Sequence, residues 1–194
     1  MKKKIYLYIE CTILFGIFPI IVTIYNSQLK RVIMGIMIAI AIACFIYLKK
    51  LSTFDNKKLW NAKALKLVIR RILWRFLIGG TVIGIICYFT LGNHFLGFPR
   101  QMPWLWVMVM IAYPFFSVYA QEVIYRAFFF ERYKVIFSGK WTMIILSGLA
   151  FGHMHLVFGN WVAPALTAVG GILFAKTYNE TDSLLAACVE HGIW

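Results

Sequence analysis

The sequence predicts an all-α, polytopic membrane protein with about six full transmembrane helices and a short C-terminal helix cut at the chain end. Two observations predict it. Of the 194 residues, 62% are hydrophobic and the mean hydropathy is +0.79, whereas soluble domains run about 45–50% apolar. The apolar residues also fall in runs of about 20, the length a helix needs to cross a bilayer, separated by short polar or turn-rich stretches.

The first span is expected at residues 5–25. Its basic start, Met1-Lys-Lys-Lys4, resembles that of a signal peptide, but no small-residue cleavage pattern follows, so an uncleaved first helix is expected. Glu10 lies near its entry and is expected to snorkel to the interface. A short turn at 26–31 leads to a second span at 32–48, rich in Ile and Ala. Residues 49–71 are the longest polar stretch. There Leu59, Trp60, Ala62, Leu65 and Val68 alternate with Lys58, Lys63, Lys66, Arg70 and Arg71, the pattern of a helix lying on the membrane surface against anionic headgroups. A third span follows at 72–91. Its Gly79, Gly80 and Gly84 are expected to let a neighbouring helix approach closely.

After a turn-rich loop, Trp104 and Trp106 mark an interface and open a long fourth span at 104–130, with Pro114 as an expected kink. The fifth span is placed at 141–158 and carries His153 and His155. The sixth, at 162–178, carries Gly170 and Gly171. The last apolar segment, 184–194, holds Glu190 and His191 and stops after three turns. Two regions are expected: 1–103 as N-terminal helices with a basic cytoplasmic loop, and 104–194 as a helical catalytic-like core, incomplete at its C-terminus.

The net charge of +13 is concentrated in Lys2–Lys4, the 49–71 loop and Arg132, Lys134 and Lys140. It is therefore a topology signal. A cytoplasmic N-terminus puts these groups and Lys176 inside, with only Lys30, Arg31 and Arg100 outside, which predicts a multi-pass protein of the cell membrane with its N-terminus in the cytoplasm. Nucleic-acid binding would need a basic soluble face, and none is visible. Cys11, Cys44, Cys87 and Cys188 all lie in apolar segments without a Cys-x-x-Cys pair and are expected to be small buried hydrophobes.

Within this apolar background, Glu122 and Arg126 stand out. Each costs about 2.5–3.5 kcal/mol at bilayer depth on insertion scales. Their i, i+4 spacing puts them on one helical face, where they can pair. His155 and His191 fall in neighbouring segments, so three helices can turn polar groups into one cavity. His153, two residues before His155, points elsewhere and is expected to be structural. Several uses fit these groups: activation of water with stabilisation of an oxyanion, a metal site in which Glu122, His155 and His191 are the ligands, or a proton or ion relay. The compact His-Glu-x-x-His arrangement of zinc proteases is absent. No cofactor is firmly implied; a divalent metal is the alternative.

Gln121-Glu122-x-x-x-Arg126, then Phe151-x-x-x-His155, then a late helix with His191, resembles the CPBP family of intramembrane proteases, also called Abi, which includes the type II CAAX prenyl endopeptidases. The stretch Ser147-Gly-Leu-Ala-Phe-Gly-His-Met-His155 looks like the family's second motif. The resemblance covers about residues 104–194. It implies peptide-bond hydrolysis within the membrane, with lipids as surroundings and a peptide or lipidated protein as substrate. It further implies that His155 pairs with the water, that His191 donates to the oxyanion and that Arg126 holds Glu122.

The sequence departs from the family pattern twice. Gln121 stands where the family has the first glutamate, the one given the water-activating role, and an amide cannot accept that proton. Either Glu122 takes the role, or Gln121 only positions the water, or catalysis is weak or lost. The Asn or Asp that follows the family's last histidine by four residues would fall beyond Trp194. The two departures keep a second expectation alive, a catalytically degenerate membrane protein acting in bacteriocin immunity or as a scaffold.

Overall fold

The computed structural model describes residues 2–29 and 31–194. Met1, the side chains of Lys2 and Lys3, and Lys30, which entered the orientation argument, lie outside the described residues. The chain forms helices α1 (Lys4–Ile24), α2 (Ile33–Lys50), α3 (Ala62–Leu91), α4 (Pro103–Tyr133), α5 (Lys140–Phe158), α6 (Val162–Thr181) and α7 (Leu184–Ile193). Among the described residues there is no strand. The all-α, multi-pass expectation holds: α1 to α5 are long and apolar enough to cross a membrane. The segment expected as a sixth span forms α6, a 20-residue helix that is not among the five. Its second half carries Lys176, Asn179 and Glu180 and buries Phe174, Ala175, Thr177 and Tyr178 in the bundle.

The centre of the bundle is the second half of α4. Every residue from Glu122 to Phe129 is buried, as expected of a helix surrounded on all sides. α2 covers it with Ala41, Cys44 and Leu48. Phe15 of α1 lies edge-on to Tyr125, Phe129 and Tyr133, with ring centroids 5.6, 5.1 and 5.9 Å away. α4 is not a uniform α-helix. Wide π turns occupy Pro114–Val118 and Val123–Phe128, with one α turn, Tyr119–Glu122, between them. The first begins at the proline expected to disturb the helix, which has no N–H to give to the ladder. Such turns are frequent at functional sites.

α5 and α6 form a close hairpin, and glycine makes it possible. A Cβ on Gly148 would lie 2.7 Å from the backbone N of Ile172, and one on Gly152 would lie 2.7 Å from the Pro164 carbonyl. The small-xxx-small spacing of Gly148 and Gly152 is a membrane packing stripe. The glycines expected to serve this purpose in α3 mostly do not: Gly84 has open space around it, and only Gly79 receives a neighbour, the ring of Trp194.

Two expectations about charged residues are revised. Glu10 does not snorkel; its side chain is 15% exposed and grips Arg132 through two hydrogen bonds of 2.8 and 2.6 Å. Tyr133 also donates to it (3.0 Å), and Arg132 donates to Tyr47 (3.1 Å), so the cluster ties α1, α2 and α4 together. The partner guanidinium lies in reach across the bundle, and pairing satisfies the carboxylate better than half-burial.

The expected surface helix over 49–71 is absent as a separate element. Residues 51–61 form a loop with a turn closed by the Phe54 N–H on the Leu51 carbonyl (3.0 Å) and a 3₁₀ turn at Asn56–Leu59. Asn61 then caps α3 by accepting from the Ala64 N–H at 3.2 Å, and the helix runs unbroken to Leu91. Two of the basic side chains of the 49–71 stretch face acids of the α6–α7 region, Lys58 pairing with Asp182 (2.7 Å) and Arg71 with Glu180 (2.8 Å), and just beyond it Arg75 pairs with Glu190 (2.9 Å). Ser183 completes the join. Its hydroxyl donates to the Asn61 carbonyl (3.0 Å) and accepts from the Ala186 N–H as the cap of α7 (3.1 Å).

Candidate active site

The site forms where α4, α5, α6 and α7 meet. Glu122 and Arg126, both 0% exposed, pair as their spacing predicts, with Arg126 Nε 3.1 Å from Glu122 Oε2. The other carboxylate oxygen, Oε1, lies 2.9 Å from His191 Nδ1 on α7. A carboxylate only accepts, so His191 Nδ1 carries the hydrogen and donates it. In the neutral ring that leaves His191 Nε2 as the acceptor for the Tyr113 hydroxyl, 3.1 Å away.

Around this chain the packing is aromatic. The His191 ring stacks on Phe174 of α6 at 4.7 Å and 14°, and lies edge-on to Phe151 at 5.2 Å. The Arg126 guanidinium lies over both rings, 5.1 Å from Phe151 and 5.8 Å from Phe174, contacts that help hold a desolvated cation. Arg126 Nη1 also donates to Ser147 Oγ (3.3 Å), whose own hydroxyl donates to the Tyr125 carbonyl (2.6 Å). Arg126 Nη2 has no hydrogen-bond partner among the described residues, nor has Oε1 of Gln121.

His155 joins through Phe151, one turn before it. The two rings are 4.6 Å apart, and His155 Nδ1 donates to the Phe151 carbonyl at 2.7 Å. The carbonyl fixes the tautomer: Nε2 keeps a lone pair that no described residue engages. α5 gives way to a tighter 3₁₀ turn at His155–Phe158, which brings the imidazole out of the helix ladder.

The structure thus brings Glu122, Arg126 and His191 into direct contact, and His155 joins them through the Phe151 ring that packs against both imidazoles. Gln121 is different. Its amide donates to Ser117 on the preceding turn (2.6 Å), and it bonds none of the other four. His153, expected to be structural, bonds the Gly16 carbonyl of α1 (3.0 Å). The trio Glu122, His155 and His191 does not form a metal cage. Both His191 nitrogens are engaged, and no group of three His, Cys, Asp or Glu side chains among the described residues is arranged to hold an ion.

Sequence reasoning missed Ser147, Tyr113 and Phe174 at the site and the Arg75–Glu190 pair next to it. Ser147 was quoted within the Phe151 and His155 stretch, and its spacing of one turn before Phe151 could have placed it. Tyr113 and Phe174 gave no signal beyond being aromatic. The Arg75–Glu190 pair was visible as two ionisable residues in apolar segments, but nothing joined them along the chain.

Residues 102–194 match the model of a known family, described as type II CAAX prenyl endopeptidase Rce1-like. The segment is similar to that family. The Rce1-like match covers just under half of the chain and contains Tyr113, Gln121, Glu122, Arg126, Ser147, Phe151, His155, Phe174 and His191, while α1 to α3, with Arg75, precede it. The family is one of proteases, which agrees with the CPBP resemblance carried by the motifs. No curated protein and no solved structure matches the chain.

Proposed function

We propose that the protein is an intramembrane endopeptidase of the CAAX type, with 104–194 as its catalytic core and α1 to α3 as support, acting on a peptide or lipidated protein in the cell membrane, its N-terminus in the cytoplasm. One observation carries the reading: a carboxylate–imidazole contact of 2.9 Å between Glu122 and His191, buried inside a helical bundle, beside a second imidazole with a free ring nitrogen.

In this reading His155 Nε2 takes a proton from water as the water oxygen attacks the scissile carbonyl. The carbonyl electron pair moves to oxygen. When the intermediate collapses, the C–N bond breaks and His155 returns its proton to the leaving amine, giving a free carboxyl and a free amine. Glu122 serves as the fixed acceptor that orients His191, since its two oxygens face His191 and Arg126. Gln121 plays at most a positioning part, because an amide takes up no proton at these pH values.

The test is cleavage of a prenylated CAAX peptide by the full chain in proteoliposomes. Glu122→Ala and His155→Ala are each expected to lower kcat by about 10²–10⁴-fold, the usual contribution of a positioned acid–base group, with insertion unchanged. Cleavage at the wild-type rate in both variants would overturn the reading. A second reading, a degenerate membrane protein serving bacteriocin immunity or scaffolding, is favoured by the amide at position 121. It predicts no cleavage by the wild-type chain and full biological protection by Glu122→Ala.

A further inference from the structure

We propose that Tyr113 is a catalytic residue of this site, the hydrogen-bond donor that meets the substrate's carbonyl oxygen, with His191 behind it. The inference rests on the protease reading above and deepens it.

His191 has no free nitrogen. Nδ1 is held by Glu122 at 2.9 Å and Nε2 by the Tyr113 hydroxyl at 3.1 Å. The three groups form a chain of carboxylate, imidazole and hydroxyl, the order found in hydrolytic triads. A phenol takes the place of the serine. Exposure rises along the chain: Glu122 is 0% exposed, His191 5% and Tyr113 36%. Tyr113 is therefore the member of the chain nearest the outside of the bundle.

The position of Tyr113 is built rather than incidental. It is the last residue before Pro114 and the π turn of α4, so the helix changes pitch where the ring turns towards α7. Gly192, next to His191, lies against the Pro114 ring, and a Cβ there would sit 3.8 Å from it. The Tyr113 ring stands edge-on to the imidazole at 6.1 Å and 79°.

At rest the phenol donates to the neutral imidazole nitrogen. As water adds to the scissile carbonyl, the new C–O bond forms and the π pair moves onto the carbonyl oxygen. An alkoxide is a stronger acceptor than a neutral imidazole. The Tyr113 O–H turns about its C–O bond onto that oxygen and keeps its proton throughout. Buried Glu122 and Arg126 hold the imidazole still, so the donor needs little reorganisation, the condition under which one such donor contributes most.

The experiment compares wild-type and Tyr113→Phe full-length protein in proteoliposomes on a fluorogenic prenylated CAAX peptide. Tyr113→Phe is expected to lower kcat by about 10²–10³-fold, the usual loss for one oxyanion donor, with KM within about twofold. A peptide aldehyde, which forms a tetrahedral adduct, should lose affinity by a similar factor, while an uncleavable ground-state peptide should not; a residue that only propped up His191 would not separate the two. Should Tyr113→Phe fail to insert, 3,5-difluorotyrosine at position 113 replaces it, and the alkaline limb of the kcat profile should move to lower pH. An unmoved limb, or a Tyr113→Phe kcat within threefold of wild type, would overturn the role of Tyr113 and leave the protease reading standing. Absence of cleavage by the wild-type chain would overturn both.

Discussion

Arg75 and Glu190 make the most demanding prediction about what holds the site together. Glu190 is 0% exposed and precedes His191 directly. Its Oε1 is 2.9 Å from Arg75 Nη1, and the same nitrogen donates to Thr177 Oγ1 at 3.2 Å. Its Oε2 has no partner among the described residues. Arg75→Met therefore strands a buried carboxylate. Breaking such a pair from one side costs about 3–5 kcal/mol, whereas replacing both partners by apolar side chains is often neutral. The Arg75 side chain is 19% exposed, so some water can reach the pair, and the lower end, about 3 kcal/mol, is expected. At about 2–4 °C per kcal/mol for a chain of this size, the melting temperature should fall by about 6–12 °C. Arg75→Met with Glu190→Leu should recover to within about 1 kcal/mol of wild type. The assay is thermal unfolding in nanodiscs for the two single variants and the double variant. A drop below about 2 °C in Arg75→Met, or a double variant as unstable as that single one, would refute the argument that this pair secures α7.

Two further predictions follow from the packing and from position 121. Gly148→Leu should prevent close approach of α5 and α6 and destabilise by about 1–3 kcal/mol or more, because even a Cβ there collides with the Ile172 backbone; Gly84→Leu, with open space around it, should leave the unfolding temperature unchanged, and equal effects at the two positions would contradict the packing described. Gln121→Glu should raise kcat on the prenylated peptide by about tenfold or more, within the range of a positioned proton acceptor; a fall in kcat would mean that a second carboxylate beside Glu122 hinders the site.

The helices were readable because each span is a run of apolar residues close to bilayer thickness, and the Glu122–Arg126 pair because both partners lie one turn apart. The surface helix expected over 49–71 failed for a specific reason. The amphipathic turns flow into the apolar run at Ile72 with no Gly or Pro between them, so the pattern changes while the helix does not. The Glu10–Arg132 and Arg75–Glu190 pairs were hidden by separation: partners more than 100 positions apart each read alone as a charge near an interface. Glycine was legible as a packing residue but not its partner, so Gly148 and Gly152 went unremarked while Gly84 was credited with a contact it does not make. The meeting of His191 with Glu122 was suggested by the motif resemblance, since local spacing relates neither to the other. Tyr113 had no sequence signal at all; only the π turn after it and the approach of α7 bring its hydroxyl to His191.

The central claim is that Glu122, His191 and His155 turn water on a peptide bond inside this bundle. The most direct measurement is cleavage of a prenylated CAAX peptide by the purified chain in water enriched in oxygen-18, read by mass spectrometry of the products. The account predicts one heavy oxygen in the newly formed carboxyl group of the wild-type product, and loss of product with Glu122→Ala. Product formed without the heavy oxygen, or formed equally well by Glu122→Ala, would contradict it.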